Sequence, residues 1–444
     1  MMSQEDIQEN KIFIVNFSEL RGRLDPKISL YNRKVLHFAY PKAKLKALLL
    51  NSPQYGANES GISRKSNEEP RYIRITDIDE NGLISTNELG ATAEIVEDKY
   101  LLHENDILFA RSGATVGKTY IHKDLPYKCF FAGYLIRFVI DPQIAIPDYV
   151  FIFTQLNIYK EWVNAIQRPS GQPNINAEEY QSLEIPLPDI KIQKKLVNIY
   201  LKSLSNKQQK EQEAKDLLNS IDDYLLSELG IERPSPIRTE NGRFFYTSFH
   251  NLMGSEWAPL CIKNNGRRSK STLYKEVKLS TIATIAKGQA ITSKEIVSGN
   301  YPVIAGGQSS PYSHNQYNYK GNIITISASG AYSGYVWYHN YPIFASDCSV
   351  IFSNDENVYL TKYIYEILRL RQQEIYLLQK GAGQPHVYPS DIANLTIPAI
   401  PLEKQQDIVA YCQELRNKAE LLQKEGRDII STAKDAIEQM IIGN

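Results

Sequence analysis

The sequence predicts an α+β protein in which two copies of a mixed, mostly β domain are joined by two long antiparallel coiled-coil helices with pseudo-twofold symmetry. Three observations predict this fold: an internal repeat, short strand-like segments in both copies, and a long helical segment at the end of each copy. The expected divisions are a first β domain, a first spacer helix, a second β domain and a second spacer helix, at residues 1–187, 188–232, 233–399 and 400–444.

The internal repeat divides the chain into two copies of one unit. The segment GQPNINAEEYQSLEIPLPDIKIQKKLV begins at Gly171, and GQPHVYPSDIANLTIPAIPLEKQQDIV begins 212 residues later at Gly383. At this offset, without a gap, eight positions coincide, including the shared Gln193 and Gln405. Upstream, with small gaps, SGATVG matches SGAYSG. A match at one fixed separation indicates a duplicated structural unit.

Each copy begins as a mixed, mostly β domain. The first copy contains YIRITDI, DILFA and YLIRFVI, and the second contains YPVIAGG, NIITISASG and CSVIFSN. These short apolar or alternating segments are separated by Gly, Asn, Asp and Pro, which is typical of strands joined by turns. Short helical segments follow in DYVFIFTQLNIYKEWVNAI and YLTKYIYEILRLRQQEIYLL.

Each copy ends in a long amphipathic helix. In the second helix a heptad series is formed by Ile408, Leu415, Leu422, Ile429 and Ala436, with Ala419, Gly426, Ala433 and Met440 at the intermediate position. The first helix has an equivalent seam with polar residues in its middle, at Leu196, Ser203, Lys207, Lys210, Ala214, Leu217, Ile221 and Tyr224. At about 1.5 Å per residue each helix is roughly 60 Å long, more than one domain covers. We therefore expect the helices to pair, with the β domains at opposite ends of a rod.

The composition is that of a multidomain globular protein. The chain has 444 residues, of which 42% are hydrophobic and 23% charged, and no apolar run approaches a membrane span. Its polar N-terminus is unlike a signal peptide, and its four dispersed cysteines argue against a zinc ribbon or a disulfide framework. We therefore expect a cytoplasmic protein. The net charge is zero, but residues 233–397 contain 16 Lys and Arg against 10 Asp and Glu, so a local basic face is possible.

The sequence GATVGKT, Gly113–Thr119, is similar to a phosphate-binding P-loop. That loop needs four residues between its first glycine and Gly-Lys-Ser/Thr, so that backbone N–H groups surround the phosphates. Here only three residues separate Gly113 from Gly117, and the second copy has Gly-Tyr-Val in place of Gly-Lys-Thr. Both copies share a glycine turn between extended segments. A nucleotide-binding enzyme that uses Gly113–Thr119 stays an alternative of a different class.

The sequence predicts no catalytic residue and no metal site. An adenine methyltransferase needs an Asn/Asp-Pro-Pro-Tyr-like loop to hold a flipped base. The nearest string here is NSPQY at Asn51–Tyr55, which has a glutamine inserted. The seven histidines are dispersed along the chain. We therefore expect that this chain is not itself an enzyme.

The chain resembles the specificity subunits of type I restriction-modification systems. The resemblance rests on the two Gly-Gln-Pro to Ile-Pro blocks, on YIRITDI with NGLIS, on DILFARSGATVGK and on DYLLSELGI, and it covers essentially the whole chain. It implies that each β domain is a target-recognition domain that reads one half of a split site in double-stranded DNA. It also implies that the paired helices set the gap and bind two methyltransferase (modification) subunits.

The same resemblance implies that this chain is non-catalytic and carries no cofactor. S-adenosylmethionine, ATP and Mg would belong to the modification and restriction/translocase subunits. Two other hypotheses remain open: a specificity subunit of a solitary or fused modification or restriction enzyme, and a coiled-coil adaptor that binds only proteins.

The candidate DNA-binding residues are the polar and basic residues of the turns. Phosphate contacts use Lys, Arg and hydroxyl groups, and base contacts use Arg, Gln, Asn and Ser. We expect sequence discrimination where the copies differ, and we interpret Lys118 as a DNA contact of one domain. The candidates in the first copy are Arg111, Ser112, Thr115, Lys118, Arg168, Ser170 and Gln172. Those in the second copy are Lys287, Gln289, Gln308, Ser309, Ser327, Ser329, Tyr332, Ser333, Lys380, Gln384 and His386.

Several apolar residues of the long helices lie beside the predicted seam. They would either bind modification subunits or pack against the β domains, and the pattern leaves both interpretations open. These residues are Tyr200, Leu201, Leu204, Leu225, Leu226 and Tyr411.

Overall fold

The computed structural model describes residues 26–35, 38–86, 88–167, 173–232, 269–381 and 383–443. The chain divides into a first unit, residues 1–210 with 424–444, and a second unit, residues 211–423. Each long helix is therefore shared by both units, whereas the sequence predicted helices separate from the β domains. The reason is packing, because each helix contributes side chains to both hydrophobic cores. The predicted domains also include residues 1–25 and 233–268, which lie outside the described residues.

The described residues form ten α-helices. They are α1 Pro26–Val35, α2 Pro147–Phe153, α3 Asn157–Ile166, α4 Ala177–Gln181, α5 Ile190–Leu229, α6 Leu279–Ile282, α7 Thr361–Leu370, α8 Gln372–Tyr376, α9 Pro389–Ala393 and α10 Leu402–Ile442. The two longest, α5 and α10, occupy the segments in which the sequence predicted spacer helices. Within the described part of the chain, no helix is both long enough and apolar enough to span a membrane.

The strands are short, with two to six residues each. In the first unit they are β1 Lys42–Lys44, β2 Gln54–Tyr55, β3 Ile62–Ser63, β4 Arg71–Ile73, β5 Ala91–Thr92, β6 Ile107–Ala110, β7 Thr119–Ile121, β8 Cys129–Phe131, β9 Leu135–Phe138 and β10 Glu184–Pro186. In the second unit they are β11 Ile231–Glu232, β12 Lys270–Ser271, β13 Glu276–Lys278, β14 Ala283–Lys287, β15 Tyr301–Ile304, β16 Ser313–His314, β17 Ile323–Ser327, β18 Val336–His339, β19 Phe344–Ala345, β20 Cys348–Ser353 and β21 Thr396–Pro398.

The two units have similar sheet topologies, although the second sheet of the second unit has three strands among the described residues and that of the first unit has four. The first unit contains the antiparallel sheet β2-β9-β6-β7 and a sheet of order β3-β5-β4-β8, in which β4 and β8 are parallel. The second unit contains the antiparallel sheet β14-β20-β17-β18 and a sheet of order β16-β15-β19, in which β15 and β19 are parallel. Antiparallel pairs β1-β10 and β13-β21 lead into the long helices. The predicted α+β class with two repeated, mostly β domains is confirmed.

Each β domain packs its short helices and part of both long helices into one core. In the first unit the core includes Phe109 and Phe138 from the sheet, Tyr149 from α2, Leu196 from α5 and Ile437 from α10. In the second unit equivalent elements contribute, with Ile324 and Ile351 from the sheet, Tyr363 from α7, Leu225 from α5 and Ile408 from α10. Burial of these apolar side chains supplies most of the driving force that holds each helix segment on its domain.

Inside each unit the segments of α5 and α10 run antiparallel. In the first unit Lys210 Nζ lies 2.6 Å from Glu425 Oε2, while Lys207 packs beside Gly426. In the second unit the rings of Tyr224 and Tyr411 have centroids 4.4 Å apart. Further along, Lys404 Nζ lies 2.9 Å from Glu228 Oε2. The polar middle of the predicted seam is thus partly occupied by an ion pair.

The buried face of α10 differs from the predicted heptad series at several positions. Cys412 is fully buried although it was not assigned to the seam, and Met440 is 41% exposed although it was. Near the end of the helix, Ile437 and Ile441 are buried instead of Met440. A helix with 3.6 residues per turn drifts away from a strict seven-residue repeat, so the core of the first unit covers a different stripe at this end.

Candidate nucleic-acid interface

A glycine turn joins β6 to β7 in the first unit and β17 to β18 in the second. In the first unit four amide groups donate hydrogen bonds of 3.0–3.1 Å: Gly113 to Pro173, Val116 to Gly113, Gly117 to Ala110, and Lys118 to Thr115. In the second unit the matching bonds, 2.7–3.1 Å long, are Gly330 to Pro385, Ser333 to Gly330, Gly334 to Ser327, and Tyr335 to Tyr332. The φ angles of the four glycines lie between 84° and 94°, a region that strongly favours glycine.

This hydrogen bonding argues against a phosphate-binding loop. A P-loop uses its backbone N–H groups to surround phosphate, whereas most amides of this turn donate to carbonyl groups of the protein. The ammonium group of Lys118 donates to the carbonyl of Ile78 over 2.6 Å, so it also has a partner within the protein. The second unit repeats the turn without a lysine. The shared motif is therefore a structural frame.

Substitution of Gly117 by alanine is expected to destabilise the first unit by about 2 kcal/mol, because a side chain at positive φ is strained. In addition, its Cβ would lie 2.6 Å from Val163 Cγ1. Hydrogen-exchange mass spectrometry in urea, followed on peptides of the first unit, measures the change. Gly61→Ala is the control, since its Cβ would meet only ordinary contacts at 3.6–3.7 Å. Equal stabilities of the two variants would contradict this interpretation of the turn.

In the second unit the candidate residues gather at one edge of the sheets. The backbone amide of Gly288, directly after Lys287, donates to the carbonyl of Cys348, and the backbone amide of Gln289 donates to the carbonyl of Ala345 over 2.9 Å. A Cβ at Gly306, two residues before Gln308, would lie 2.4 Å from the carbonyl oxygen of Ser329. Side chains exposed on this edge are Lys287, Gln289, Gln308, Ser309, Tyr332 and Gln384.

The structure corrects two of the assignments in this unit. Ser327 is 4% exposed and Ser333 is 0% exposed, so neither side chain reaches a ligand at the surface. Ser327 is the last residue of β17, in which all five residues are buried, and Ser333 belongs to the glycine turn, where its amide donates to the carbonyl of Gly330. These residues support the turn.

Lys380 and His386 form a backbone pair beside the turn. Each donates its N–H to the carbonyl of the other over 2.8 Å. Lys380 Nζ lies 3.0 Å from Asp391 Oδ1, and the ring of His386 stacks on Tyr388. Both remain candidates, with side chains that are already engaged within the unit.

In the first unit the candidate residues of the glycine turn are half-buried or exposed. The guanidinium of Arg111 lies 4.9 Å from the centre of the Tyr55 ring, Ser112 pairs with Asn174, and Thr115 is exposed. The remaining candidates of this unit lie outside the described residues; they are Arg168, Ser170 and Gln172.

A concave pocket of about 770 Å³ adds residues that the sequence analysis missed in the first unit. It contains Thr115, and its other polar or aromatic residues include Asn58, Arg74, Thr76 and Tyr134. Arg74 Nη2 is held by Asp77 Oδ1 at 2.9 Å, while Tyr134 is 66% exposed. These residues follow β2, β4 and β8, and in the second unit the candidates Gln289 and Gln308 follow the equivalent strands β14 and β15. Alignment of YIRITDI with YPVIAGG could have found Arg74 and Thr76, whereas Asn58 and Tyr134 lie outside that segment.

The hydrogen bonds define equivalent positions in the two units. Arg111 N donates to Tyr134 O, and Ala328 N donates to Asp347 O. Thus Tyr134 and Asp347 occupy the same place on the same frame. By the same reasoning Ala57 is equivalent to Gln289. The amide of Ala57 donates to the carbonyl of Phe131, and the amide of Gln289 donates to the carbonyl of Ala345, each over 2.9 Å. The frame is shared and the exposed side chains differ.

Burial keeps two titratable groups under this surface neutral, Cys348 and Tyr72. Burial raises the pKa of the Cys348 thiol to about 12, so it is not a thiolate at neutral pH. Burial likewise raises the pKa of Tyr72, whose hydroxyl donates to Ala57 O over 2.8 Å. Neither group is prepared for nucleophilic or acid-base chemistry.

The apolar residues noted beside the helix seam separate into two groups. Tyr200, Leu204 and Leu225 are buried in the cores of their own units. Leu201 and Tyr411 are 45% and 42% exposed, and Leu226 is half-buried. Packing against the β domains therefore accounts for the first group.

Comparison with known proteins gives a consistent result. The model of the family described as "Type I restriction modification DNA specificity domain" matches residues 58–219 and 272–429. The type I restriction enzyme StySPI specificity subunit of Salmonella potsdam is 22% identical over 385 residues, which cover 83% of this chain and 80% of that protein. The MjaVIII specificity subunit of Methanocaldococcus jannaschii is 22% identical over 106 residues, or 24% of each chain.

The fold is also found in a solved structure described as "Structural basis underlying complex assembly and conformational transition of the type I R-M system". The likeness has a TM-score of 0.51 at 14% identity and covers 90% of this chain and 97% of that chain. The family match covers more than half of the chain in two segments, one in each repeat. The chain therefore belongs to the family of type I restriction-modification DNA specificity subunits.

Proposed function

We propose that each unit reads one half of a split site in double-stranded DNA. One observation carries this proposal: the same hydrogen-bonded frame presents different side chains in the two units, with Tyr134 in one and Asp347 in the other. Base contacts specify sequence, whereas a common frame positions the protein on the backbone. Two frames with different surfaces fit a site with two different halves.

The long helices would set the gap between the halves and bind two modification subunits. Apolar side chains exposed on the helices support such docking; they include Leu201, Leu218, Tyr411 and Leu421. A partner that covered these side chains would remove apolar surface from water, which favours association.

We assign the chemistry to the partner subunits. In the residues that the structure describes, no three His, Cys, Asp or Glu side chains gather as metal ligands. On this proposal S-adenosylmethionine, ATP and Mg bind the modification and restriction/translocase subunits, and this chain is non-catalytic. A solitary or fused modification enzyme would use the same DNA-reading frame.

Methylome sequencing of cells that express this chain with its modification subunits tests the proposal. We expect adenine methylation in two short motifs separated by a fixed number of unspecified bases. Cells without this chain are the control and should lack that methylation. A single continuous motif would contradict the division of the site between two units.

A further inference from the structure

Asp347 is an exposed carboxylate in the middle of the candidate DNA surface of the second unit. Its Oδ2 atom accepts a hydrogen bond from the hydroxyl of Ser329, and its backbone carbonyl accepts one from Ala328. Among the described residues no Lys, Arg or His forms an ion pair with Asp347. The carboxylate is therefore oriented but not neutralised.

Asp347 lies beside the backbone of Gly306 and remains exposed. A Cβ added at Gly306 would lie 3.6 Å from Asp347 Oδ2, which shows that the glycine backbone runs next to it. Other exposed residues at this edge of the second unit are Lys287, Gln289, Gln308 and Ser309. All of these can contact DNA, and only Asp347 would repel a phosphate.

Because its carboxylate would repel a phosphate, Asp347 would contact a base and not the DNA backbone. A carboxylate accepts hydrogen bonds only, and the base groups that donate in the major groove are the amino groups of cytosine and adenine. On adenine the amino group lies beside the N7 acceptor, which a carboxylate would repel. Cytosine presents its N4 amino group without a neighbouring acceptor on the same base, and Asp or Glu accepting from this group is a recurrent contact.

We propose that Asp347 reads a C·G pair by accepting a hydrogen bond from the cytosine N4 amino group, with Ser329 as the residue that positions its carboxylate. This inference rests on the proposed function, and it names one specificity-determining position in the half-site of the second unit. The equivalent position in the first unit is Tyr134, which has no carboxylate and whose hydroxyl can donate as well as accept a hydrogen bond. The two half-sites should therefore differ at this place.

Methylome sequencing with Asp347→Ala in the full complex tests the inference. We expect the half-site of the second unit to lose its preference for C·G at one position by about tenfold, with the rest of the motif and the gap unchanged. Tyr134→Ala should change only the other half-site. Glu104→Ala, which removes an exposed carboxylate before β6, at the end of that strand away from the glycine turn, is the charge control and should leave the motif unchanged.

The outcomes distinguish readout from structural support. Ser329→Ala keeps the carboxylate, so it should weaken the C·G preference less than Asp347→Ala does. Equal loss of the entire half-site in both variants would overturn the inference, because Asp347 would then only stabilise the turn. An unchanged motif in Asp347→Ala would also overturn it, while leaving the bipartite site intact. Absence of a bipartite motif with the unaltered chain would instead overturn the proposed function.

Discussion

Replacement of Arg416 by methionine is expected to lower the free energy of unfolding of the second unit by about 3–5 kcal/mol. Both Nη atoms of Arg416 donate to the carboxylate of Glu366, which is 0% exposed. Arg369 is more distant, with its Nε 4.0 Å from Glu366, and it is engaged by Asp222. Loss of Arg416 would thus leave a buried carboxylate with a single weak partner. Hydrogen exchange of second-unit peptides in urea measures the change.

The first unit supplies the matched control for this ion pair. The hydroxyl of Tyr149 donates to the carbonyl of Pro186, and that of Tyr363 donates to the carbonyl of the equivalent Pro398, so the two tyrosines are equivalent. Three residues after the tyrosine, the first unit has Ile152 and the second has Glu366. At the offset of the repeat, Leu204 is equivalent to Arg416. The double variant Glu366→Ile with Arg416→Leu should therefore recover most of the lost stability. A double variant less stable than Arg416→Met would contradict the assignment of the loss to the unpaired carboxylate.

The sequence could predict the repeated fold because both copies keep the residues that define its frame. The glycines of the turn and the Ile-Pro strands β10 and β21 are visible as identities at matching positions. The boundaries between units could not be predicted in the same way. They depend on which side chains of α5 and α10 enter each core, and a strict heptad assignment placed Met440 inside and omitted Cys412. Packing against a domain, and not helix periodicity alone, decided the buried stripe.

The candidate interface was predictable only in part. Polar residues in turns identified the edge of the second unit, but composition does not show which serine side chains point inward, as Ser327 and Ser333 do. A search for basic, amide and hydroxyl side chains in turns does not include Asp347, which we propose as a base contact. Its position is set by a hydrogen bond between residues distant in the chain, from Ala328 N to Asp347 O, which sequence patterns do not show.

Substitution of Gln405 by leucine should cost the second unit about 3 kcal/mol. Gln405 is 0% exposed, and its Oε1 accepts from Leu360 N over 2.9 Å, at the start of α7. Its Nε2 donates to the carbonyls of Val358 and Ile400 over 2.9 and 3.0 Å. Leucine fills the space but leaves three backbone groups without this partner, and an unsatisfied buried group costs about 1–3 kcal/mol. Hydrogen exchange of second-unit peptides in urea measures this loss in the free energy of unfolding.

The shared glutamine of the first unit makes this a test of hydrogen-bond number. Gln193 accepts from Ile146 N and donates to Pro188 O, each over 2.9 Å, so Gln193→Leu removes the partner of two backbone groups instead of three. We therefore expect Gln193→Leu to destabilise its unit by about 2 kcal/mol, less than Gln405→Leu does. The exposed neighbour provides the control, since Gln406→Leu should change stability by less than about 0.5 kcal/mol. Equal effects of Gln405→Leu and Gln406→Leu would mean that these bonds do not stabilise the frame, and the identity of this residue in both copies would need another cause.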